Sequence, residues 1–346
     1  LQIPYSRSAL LLCYALTTLW FWLRDRWLIG PQSLKLLYWD DEQPKVLSSL
    51  LKAMDASPRA TQRLQLLRWP SHWSKTPALC PPALAVQGAL SDVPTALAAS
   101  QAPLEQARRR AILTTLKLHH VRLYSAQAVA EALSGRVPES VLGSDLWQPD
   151  GNPAYDMFKR ALDVTIVLFT LPLWLPLAWG VMLAVRLDSP GPALFSQWRT
   201  GLHGQAFRIH KFRSMRHDGE TGPRFASAQD PRITRLGAFL RKSRLDEIPQ
   251  LWNVLRGDMS PIGPRPEQTA FVARFAQEIP SYPYRHLVRP GLTGWAQVQQ
   301  GYAAGLQETA IKLSYDLYYV THYSLAMDLL IMAKTLRTVF TGKGAR

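Results

Sequence analysis

The fold of this chain depends first on one apolar stretch, Val164 to Val185, which reads VTIVLFTLPLWLPLAWGVMLAV. The stretch carries no charge and, as a helix, is long enough to cross the ~30 Å hydrocarbon core of a bilayer. Pro172 and Pro176 lie near its middle, where proline removes a backbone donor and clashes with the preceding turn. The sequence therefore predicts a membrane helix with a sharp break at these prolines.

Basic residues flank the apolar stretch on both sides. Lys159 and Arg160 precede it, and Arg186 and Arg199 follow it. Because basic residues tend to stay on the cytoplasmic side, a re-entrant helix over residues 164–185, with both ends on one face, would show this symmetry. A kinked helix that spans the bilayer is the alternative.

The first polar motif after the apolar stretch is HKFRSM, from His210 to Met215. We predict a strand or strand end here, whose alternation would place Lys211 and Arg213 on one face. Two cations on one face suit a diphosphate, although exposed basic strands are also common.

The next motif is RKSRLDEIPQLWNVLRGDMSPIGPRP, from Arg241 to Pro266. Its apolar spacing predicts a helix with Ser243 as N-cap and Asp246 close to a capping box. Asp246 would then be either a capping acid or, beside a phosphate bound at the helix N-terminus, a nucleophile. Glu247 could hold a Mg²⁺ ion that bridges the phosphates. A pair of surface acids is the simpler alternative.

Two arginines lie in loops shaped by proline and glycine. Pro264 and Pro266 flank Arg265, which restricts this arginine to an extended conformation. Arg289 opens a second such loop, RPGLTGW. A rigidly presented guanidinium suits a phosphate or carboxylate clamp, but either loop alone could be only a tight turn.

The N-terminal residues 1–27 contain an uncharged run, Ser8 to Leu23, which predicts a membrane helix. It can be the remnant of a larger membrane region, because the chain begins with Leu1 and upstream segments are left open. A signal peptide and a buried helix are the alternatives.

Residues 33–147 alternate strand and helix patterns, which predicts a small Rossmann-like α/β domain with a parallel sheet. The predicted strands are Leu34 to Trp39, Leu84 to Gly88 and Val121 to Ser125, and the predicted helices are Pro103 to Leu116 and Ala126 to Leu133. No G-x-G-x-x-G follows any strand, so nucleotide binding is not expected there. Residues 148–156, rich in turn formers, are predicted to be a linker.

Lys and Arg number 40 against 25 Asp and Glu, a net charge of +15. Such a charge attracts phosphate-rich substrates, anionic lipid or nucleic acid. A basic nucleic-acid-binding protein is therefore one alternative to an enzyme, although no helix-turn-helix or zinc pattern occurs. An inactive membrane scaffold is another. The tail, residues 308–340, predicts two amphipathic helices that separate near residues 321–324.

Taken together, these motifs resemble one family, the monotopic polyprenyl-phosphate sugar-1-phosphate transferases, in their exopolysaccharide-associated branch. The resemblance runs from about Lys159 to Arg346 and includes, in order, KRALD, LFSQWRTG, HKFRSM, SRLDEIPQLWNVLRGDMS, GPRP, VRPGLTGWAQV and KLSYDLYYV. It implies a mostly helical catalytic domain over residues 157–346, after the Rossmann-like domain. Many members have a Ser-Pro pair at the helix break, where this chain has Leu175-Pro176.

The resemblance also implies an activity. The enzyme would transfer a sugar-1-phosphate from a UDP-sugar to undecaprenyl phosphate and release UMP, as the first membrane step of exopolysaccharide or O-antigen assembly. It would act on the cytoplasmic face of the bacterial inner membrane, without a nucleic-acid partner, and a homo-oligomer is left open.

The resemblance assigns roles to single residues as well. Asp246 would be the nucleophile of a covalent aspartyl-phosphosugar intermediate, and Glu247 would be the Mg²⁺ ligand. Together with the sequence pattern, it gives the phosphate-binding residues Lys211, Arg213, Arg241, Arg265 and Arg289. The membrane helix would break at Pro176, with Pro172 one turn earlier.

Overall fold

A computed structural model of the chain describes residues 34–38, 42–58, 61, 64–68, 95–97, 122–138, 142, 153–216, 230–300 and 305–341. The predicted membrane helix at residues 1–27, the strand at 84–88 and the helix at 103–116 lie outside these residues, as does most of the predicted linker. The chain divides into two compact units, Leu1–Ser134 and Gly135–Arg346. The division falls before residue 147, where the sequence pattern places the end of the first domain.

The first unit contains a four-stranded parallel sheet in the order β2-β1-β3-β4. Its elements are β1 (Leu34–Tyr38), α1 (Glu42–Ala53), β2 (Leu64–Arg68), β3 (Thr95–Leu97), β4 (Arg122–Tyr124) and α2 (Ala126–Ser134). Leu36 of β1 is buried among Leu47 and Leu51 of α1 and Val129 of α2. The predicted α/β pattern with a parallel sheet is confirmed, and the Rossmann-like topology stays a prediction.

The second unit is mostly helical. Its elements are α3 (Pro153–Asp188), β5 (Leu194–Thr200), β6 (Ala206–Phe212), α4 (Arg235–Ser243), α5 (Gln250–Arg256), β7 (Ser260–Ile262), α6 (Thr269–Glu278), β8 (Gly291–Thr293), α7 (Trp295–Gln299), α8 (Leu306–His322) and α9 (Leu325–Thr341). Short 3₁₀ helices cover Leu245–Glu247 and Tyr282–Leu287. The two amphipathic helices predicted for the tail are confirmed as α8 and α9.

Helix α3 is long and apolar enough to cross a membrane. It begins at Pro153, inside the predicted linker, and the helix continues through Pro172 and Pro176. A bend at these prolines stays a prediction. Side chains bond to carbonyls in the turn before Pro172: Thr170 Oγ1 donates to Ile166 O, and Trp174 Nε1 donates to Val167 O.

Helix α3 is buried against its own unit at two places, around Val167 and around Val181 and Val185, and no residue from 168 to 180 is buried. Val167 packs with residues of β6 and α5, and Val181 and Val185 pack with β6 and α4. The opposite side exposes large apolar residues, among them Leu168, Phe169, Leu173, Leu177, Trp179 and Leu183. A continuous exposed surface of this kind marks an interaction with a membrane or a protein partner.

Strands β7 and β8 bring together the two loops that carry Arg265 and Arg289. The strands are parallel, and Gly263 and Gly291 lie at their contact. A Cβ added at Gly263 would lie 2.2 Å from Arg289 O, and one at Gly291 would lie 2.1 Å from Gly263 N. These two glycines are therefore required because backbone packs directly on backbone.

Candidate active site

The acidic pair Asp246 and Glu247 lies in the 3₁₀ helix Leu245–Glu247, between α4 and α5. The predicted capping box is wrong, because Ser243 is the last residue of α4 and its Oγ donates to Phe239 O. Arg244 then adopts a left-handed conformation with φ 59° and ends α4. The reversal of direction at Arg244, and not an N-cap, sets the position of the two acids.

Glu247 is surrounded by cations. Its Oε1 lies 2.8 Å from Arg265 Nη2 and 3.2 Å from Lys211 Nζ, with Arg244 Nη1 at 3.7 Å. Burial alone would raise the pKa of Glu247, but the charges of Arg265 and Lys211 outweigh it and hold this pKa well below its usual range. Glu247 is therefore ionised at neutral pH and keeps the cations in a cluster.

Asp246 differs from Glu247 both in its contacts and in the direction of its pKa shift. Its side chain is buried, and Oδ1 has no hydrogen-bond partner among the described residues. Burial, and after it the charge of Glu247, raises the pKa of Asp246 above its ordinary value. A buried carboxylate oxygen without a donor is an unsatisfied group, and such a group in a cluster of cations suits a nucleophile or a ligand.

Lys211 and Arg241 reach the acidic pair from two elements, as predicted. Lys211 lies near the end of β6, opposite Phe195 of β5, and its Nζ contacts Glu247. Arg241 of α4 donates from Nε to Ser214 Oγ at 3.0 Å, and its charge acts on Asp246. Three of the predicted phosphate-binding residues, Lys211, Arg241 and Arg265, thus surround the acids.

The loop Pro264–Pro266 is held through three successive carbonyl groups. Gly291 N donates to Pro264 O at 2.9 Å, Arg285 Nη2 to Arg265 O at 2.9 Å, and Arg199 Nη1 to Pro266 O at 3.1 Å. Because each carbonyl has its own donor, the backbone of Arg265 is fixed and its side chain is pre-positioned toward Glu247.

Arg213 does not join the cluster, and the predicted shared face with Lys211 is wrong. Strand β6 ends at Phe212, so the alternation does not extend to Arg213. The Arg213 guanidinium donates to carbonyls of Val185, Ser189 and Pro190. These carbonyls lie at the end of α3, where helix carbonyls lack backbone partners, so Arg213 caps that helix.

Arg289 is also not brought to the acidic pair. Its Nε donates to Gly257 O at 3.2 Å, and Arg160 donates to the carbonyls of Val254 and Leu255. Both arginines therefore satisfy the C-terminal end of α5, where cations are favoured. A phosphate-binding role for Arg289 stays a prediction, and its observed contact is structural.

Sequence reasoning missed a second charged group behind Arg265. Arg285 and Asp316 form a fully buried pair at 2.7 Å, and Glu267 contacts Arg199 and Lys312. Arg285 and Asp316 are far apart in sequence and lie on a 3₁₀ helix and on α8, so no local spacing signals the pair. Glu267 had a local signal, since it directly follows Pro266.

Asp246 and Glu247 are the candidate residues for a Mg²⁺ site. In the part of the chain that the structure describes, no group of three or more His, Cys, Asp or Glu could hold a metal ion. Two carboxylates nevertheless fit Mg²⁺, which proteins usually bind through one or two carboxylates together with substrate phosphates. The Asp246 oxygen without a donor fits this reading, so the residues suit an ion that is shared with a diphosphate.

Comparison with known proteins agrees with this chemistry. Residues 154–342 match the bacterial sugar transferase family. A UDP-N-acetylgalactosamine-undecaprenyl-phosphate N-acetylgalactosaminephosphotransferase of Aeromonas hydrophila is 47% identical over 240 residues, which cover 68% of this chain and 56% of that protein. The chain thus spans little more than half the length of this relative.

Two further relatives match a shorter part of the chain. A UDP-glucose:undecaprenyl-phosphate glucose-1-phosphate transferase of Caulobacter vibrioides is 45% identical over 197 residues, 56% of this chain and 73% of that protein. The exopolysaccharide production protein PSS of Rhizobium leguminosarum is 41% identical over 196 residues, 54% of this chain and 98% of that protein. The last relative consists almost entirely of the matching part.

Proposed function

Because the chain belongs to the bacterial sugar transferase family, we propose that it transfers a sugar-1-phosphate from a UDP-sugar to undecaprenyl phosphate and releases UMP. The observation that carries this proposal is the buried Asp246, whose Oδ1 has no donor among the described residues. Beside it, Glu247 contacts Lys211 and Arg265. The arrangement combines a nucleophile with cations that can bind a diphosphate.

In the first step, a carboxylate oxygen of Asp246 attacks the phosphorus atom that carries the sugar. A bond forms between this oxygen and phosphorus, the bond from phosphorus to the bridging oxygen breaks, and UMP leaves with that electron pair. Lys211, Arg241 and Arg265 stabilise the negative charge on the phosphoryl oxygens, which otherwise repels the carboxylate.

In the second step, a phosphate oxygen of undecaprenyl phosphate attacks the same phosphorus atom. The bond to Asp246 breaks, which regenerates the carboxylate and leaves the sugar joined to the lipid through a diphosphate. A lipid phosphate is already anionic at neutral pH, so this step requires no general base. Splitting the reaction in two avoids bringing three phosphates together at once.

Glu247 would hold Mg²⁺ together with the donor phosphates. The ion supplies charge neutralisation at the diphosphate. Within the protein, Glu247 keeps Lys211 and Arg265 in place through its Oε1 contacts. The loop around Arg265 contributes a fixed guanidinium, which binds phosphate oxygens in a bidentate way at little ordering cost.

We place the enzyme at the cytoplasmic face of the bacterial inner membrane, with both ends of α3 on that face. Two sets of contacts support this placement. Near its start, Lys159 pairs with Asp328 of α9 at 2.6 Å, and at its end Arg213 binds the carbonyls of Val185 and Ser189. Both ends thus contact the same compact unit, which supports a re-entrant helix with both ends on one face of the membrane.

The proposal is tested by sugar transfer in detergent or nanodiscs. The purified full chain is incubated with Mg²⁺, undecaprenyl phosphate and radiolabelled UDP-sugars, including UDP-glucose and UDP-N-acetylgalactosamine. We expect one sugar to enter the lipid with release of UMP, and EDTA to abolish the transfer. Transfer from none of a broad panel of UDP-sugars would contradict the proposed activity, and full activity in EDTA would contradict the Mg²⁺ role.

A further inference from the structure

A cavity of about 140 Å³ lies between α6, the 3₁₀ helix Tyr282–Leu287 and α8. It combines aromatic rings with charged and polar side chains. The lining residues that matter here are Phe271, Phe275, Tyr282, Arg285, Thr309 and Lys312. None of these residues has a role in the transfer steps derived above.

The size of the cavity limits what can enter it. An apolar protein cavity of ~150 Å³ is known to hold one benzene molecule. A cavity of about 140 Å³ therefore suits a single six-membered ring, and a fused two-ring system exceeds it. Among nucleobases, this size matches a pyrimidine more closely than a purine.

The aromatic rings offer faces on which a planar ring can stack. The ring centroids of Phe271 and Phe275 are 6.4 Å apart, and those of Phe275 and Tyr282 are 5.4 Å apart. Stacking of a base on aromatic side chains contributes ~1–3 kcal/mol per base. The rings thus provide affinity for a flat ring, and selectivity must come from polar groups.

Arg285 supplies a polar group of this kind. Its side chain is 2% exposed. Nη1 donates to Tyr282 Oη, and Nη2 donates to Asp316 and to Arg265 O. Nε of Arg285 is buried and has no hydrogen-bond partner in the described part of the chain. A buried donor without a partner is costly, and a carbonyl oxygen at the edge of a uracil ring would satisfy it.

The cavity is joined to the catalytic cluster through Arg265. Arg285 lines the cavity, and its Nη2 donates a hydrogen bond of 2.9 Å to the backbone carbonyl of Arg265. The side chain of Arg265 contacts Glu247. Glu267, two residues further on, also lines the cavity. One arginine therefore has its side chain at the phosphate cluster and its backbone beside the cavity.

We propose that this cavity is the subsite for the uracil ring of the donor nucleotide. The ring stacks against Phe271, and one of its carbonyl oxygens accepts a hydrogen bond from Arg285 Nε. The diphosphate then lies toward Arg265 and Lys211. This inference rests on the proposed use of a UDP-sugar, and it adds the place where the base is recognised.

The test compares binding of UMP and AMP to the full chain in nanodiscs, by calorimetry. Both carry the same phosphate, so their difference reports on the base. We expect UMP to bind and AMP to bind at least tenfold more weakly. Phe271→Leu removes the ring and should weaken UMP binding about tenfold, whereas Phe271→Tyr keeps the ring and should bind UMP as the parent does.

A second variant approaches the cavity from α8. Thr309→Leu adds volume inside it and should also weaken UMP binding, while thermal melting verifies that each variant is folded. Equal affinity for UMP and AMP, or UMP binding that neither Phe271→Leu nor Thr309→Leu changes, would overturn the subsite. These binding measurements do not depend on turnover. Failure of sugar transfer with all UDP-sugars would contradict the proposed activity, whereas the base subsite is tested by the UMP and AMP affinities alone.

Discussion

Asp246 and Glu247 are neighbours in sequence but have opposite electrostatic surroundings. Glu247 contacts Arg265 and Lys211, and their charges lower its pKa. Asp246 is buried beside that anion, and its pKa is raised. Paired groups whose pKa values are driven apart commonly divide the chemistry between them. Here Glu247 organises the cations and Asp246 is the more basic carboxylate.

The raised pKa of Asp246 predicts the acid side of the pH profile. Attack requires the ionised carboxylate, so release of UMP from the donor should fall as the pH drops through a pKa above the ordinary value of 3.8. In Glu247→Gln, loss of the neighbouring anion should move this fall to lower pH, although the overall rate also decreases.

Single-turnover UMP release between pH 4 and 8 measures this shift. An acid limb that stays in place in Glu247→Gln would contradict the coupling between the two acids.

At the residue scale, the sequence predicts which charged residues meet better than it predicts the direction in which a side chain at a strand end points. Lys211, Arg265 and Glu247 meet as expected, because each lies in a short segment held at a fixed place. Arg213 was misassigned because the strand ends one residue before it. The end of a strand depends on long-range packing, which no local alternation reports.

At the element scale, the loop Pro264–Pro266 depends on a buried ion pair. Arg285 Nη2 donates both to Arg265 O and to Asp316 Oδ2. Asp316→Asn leaves the arginine charge buried without its counter-ion, a change that typically costs about 3–5 kcal/mol. We expect a marked loss of thermal stability, measured by the melting temperature in detergent, together with loss of transfer.

A double variant separates positioning from stability. Arg285→Met combined with Asp316→Leu replaces the buried pair by apolar side chains, which is often neutral or stabilising. We expect it to melt near the parent temperature but to have a lower kcat, because Arg265 O has lost its donor. A stable double variant with full kcat would show that the pair has no positioning role.

Helix α3 provides a prediction about topology. Asp156 and Asp188 lie exposed near its two ends. Single cysteines at these positions, in a chain with Cys13→Ser and Cys80→Ser, should both react with an impermeant thiol reagent from the same side of sealed vesicles. Labelling from opposite sides would mean that α3 spans the bilayer.

Some features of the helices and strands could not be predicted from the sequence. The apolar run predicted a membrane helix, and α3 contains it. The helix continues through Pro172 and Pro176, and a bend at these prolines stays a prediction. In the first unit, β2 was missed although its sequence, LQLLR, has the same pattern as LKLLY of the predicted β1.

At the scale of the whole molecule, the second unit begins at Gly135, well before the first of its sequence motifs near Lys159. Trp295 Nε1 donates to Gly135 O, and Val137 N donates to Ser314 O at 3.1 Å. Val137 and Leu142 are buried with Tyr282 and other residues of the second unit. These contacts link segments that are distant in sequence, so the local strand and helix pattern, which ends the first domain at residue 147, does not report them.

Two shortened chains test the role of the first unit. A chain that starts at Gly135 should keep full transfer activity, because each chemical motif follows it. A chain that starts at Asn152 should also transfer sugar but should melt at a lower temperature, since it loses Val137 and Leu142, each worth about 1.5–3 kcal/mol when buried. Loss of turnover in a folded Gly135 chain would assign the first unit a part in catalysis.

The central claim is that Asp246 becomes covalently bonded to the sugar-1-phosphate, and a donor-only experiment tests it most directly. The full chain, Asp246→Asn and the matched surface control Asp188→Asn are each mixed with the UDP-sugar and Mg²⁺ without lipid phosphate, and UMP release is followed. We predict a burst of one UMP per active site in the parent and in Asp188→Asn, with the sugar-phosphate adduct located on Asp246 by mass spectrometry. Asp246→Asn should give neither burst nor adduct. Substantial sugar transfer by Asp246→Asn, or transfer by the parent without any burst, would contradict the covalent route.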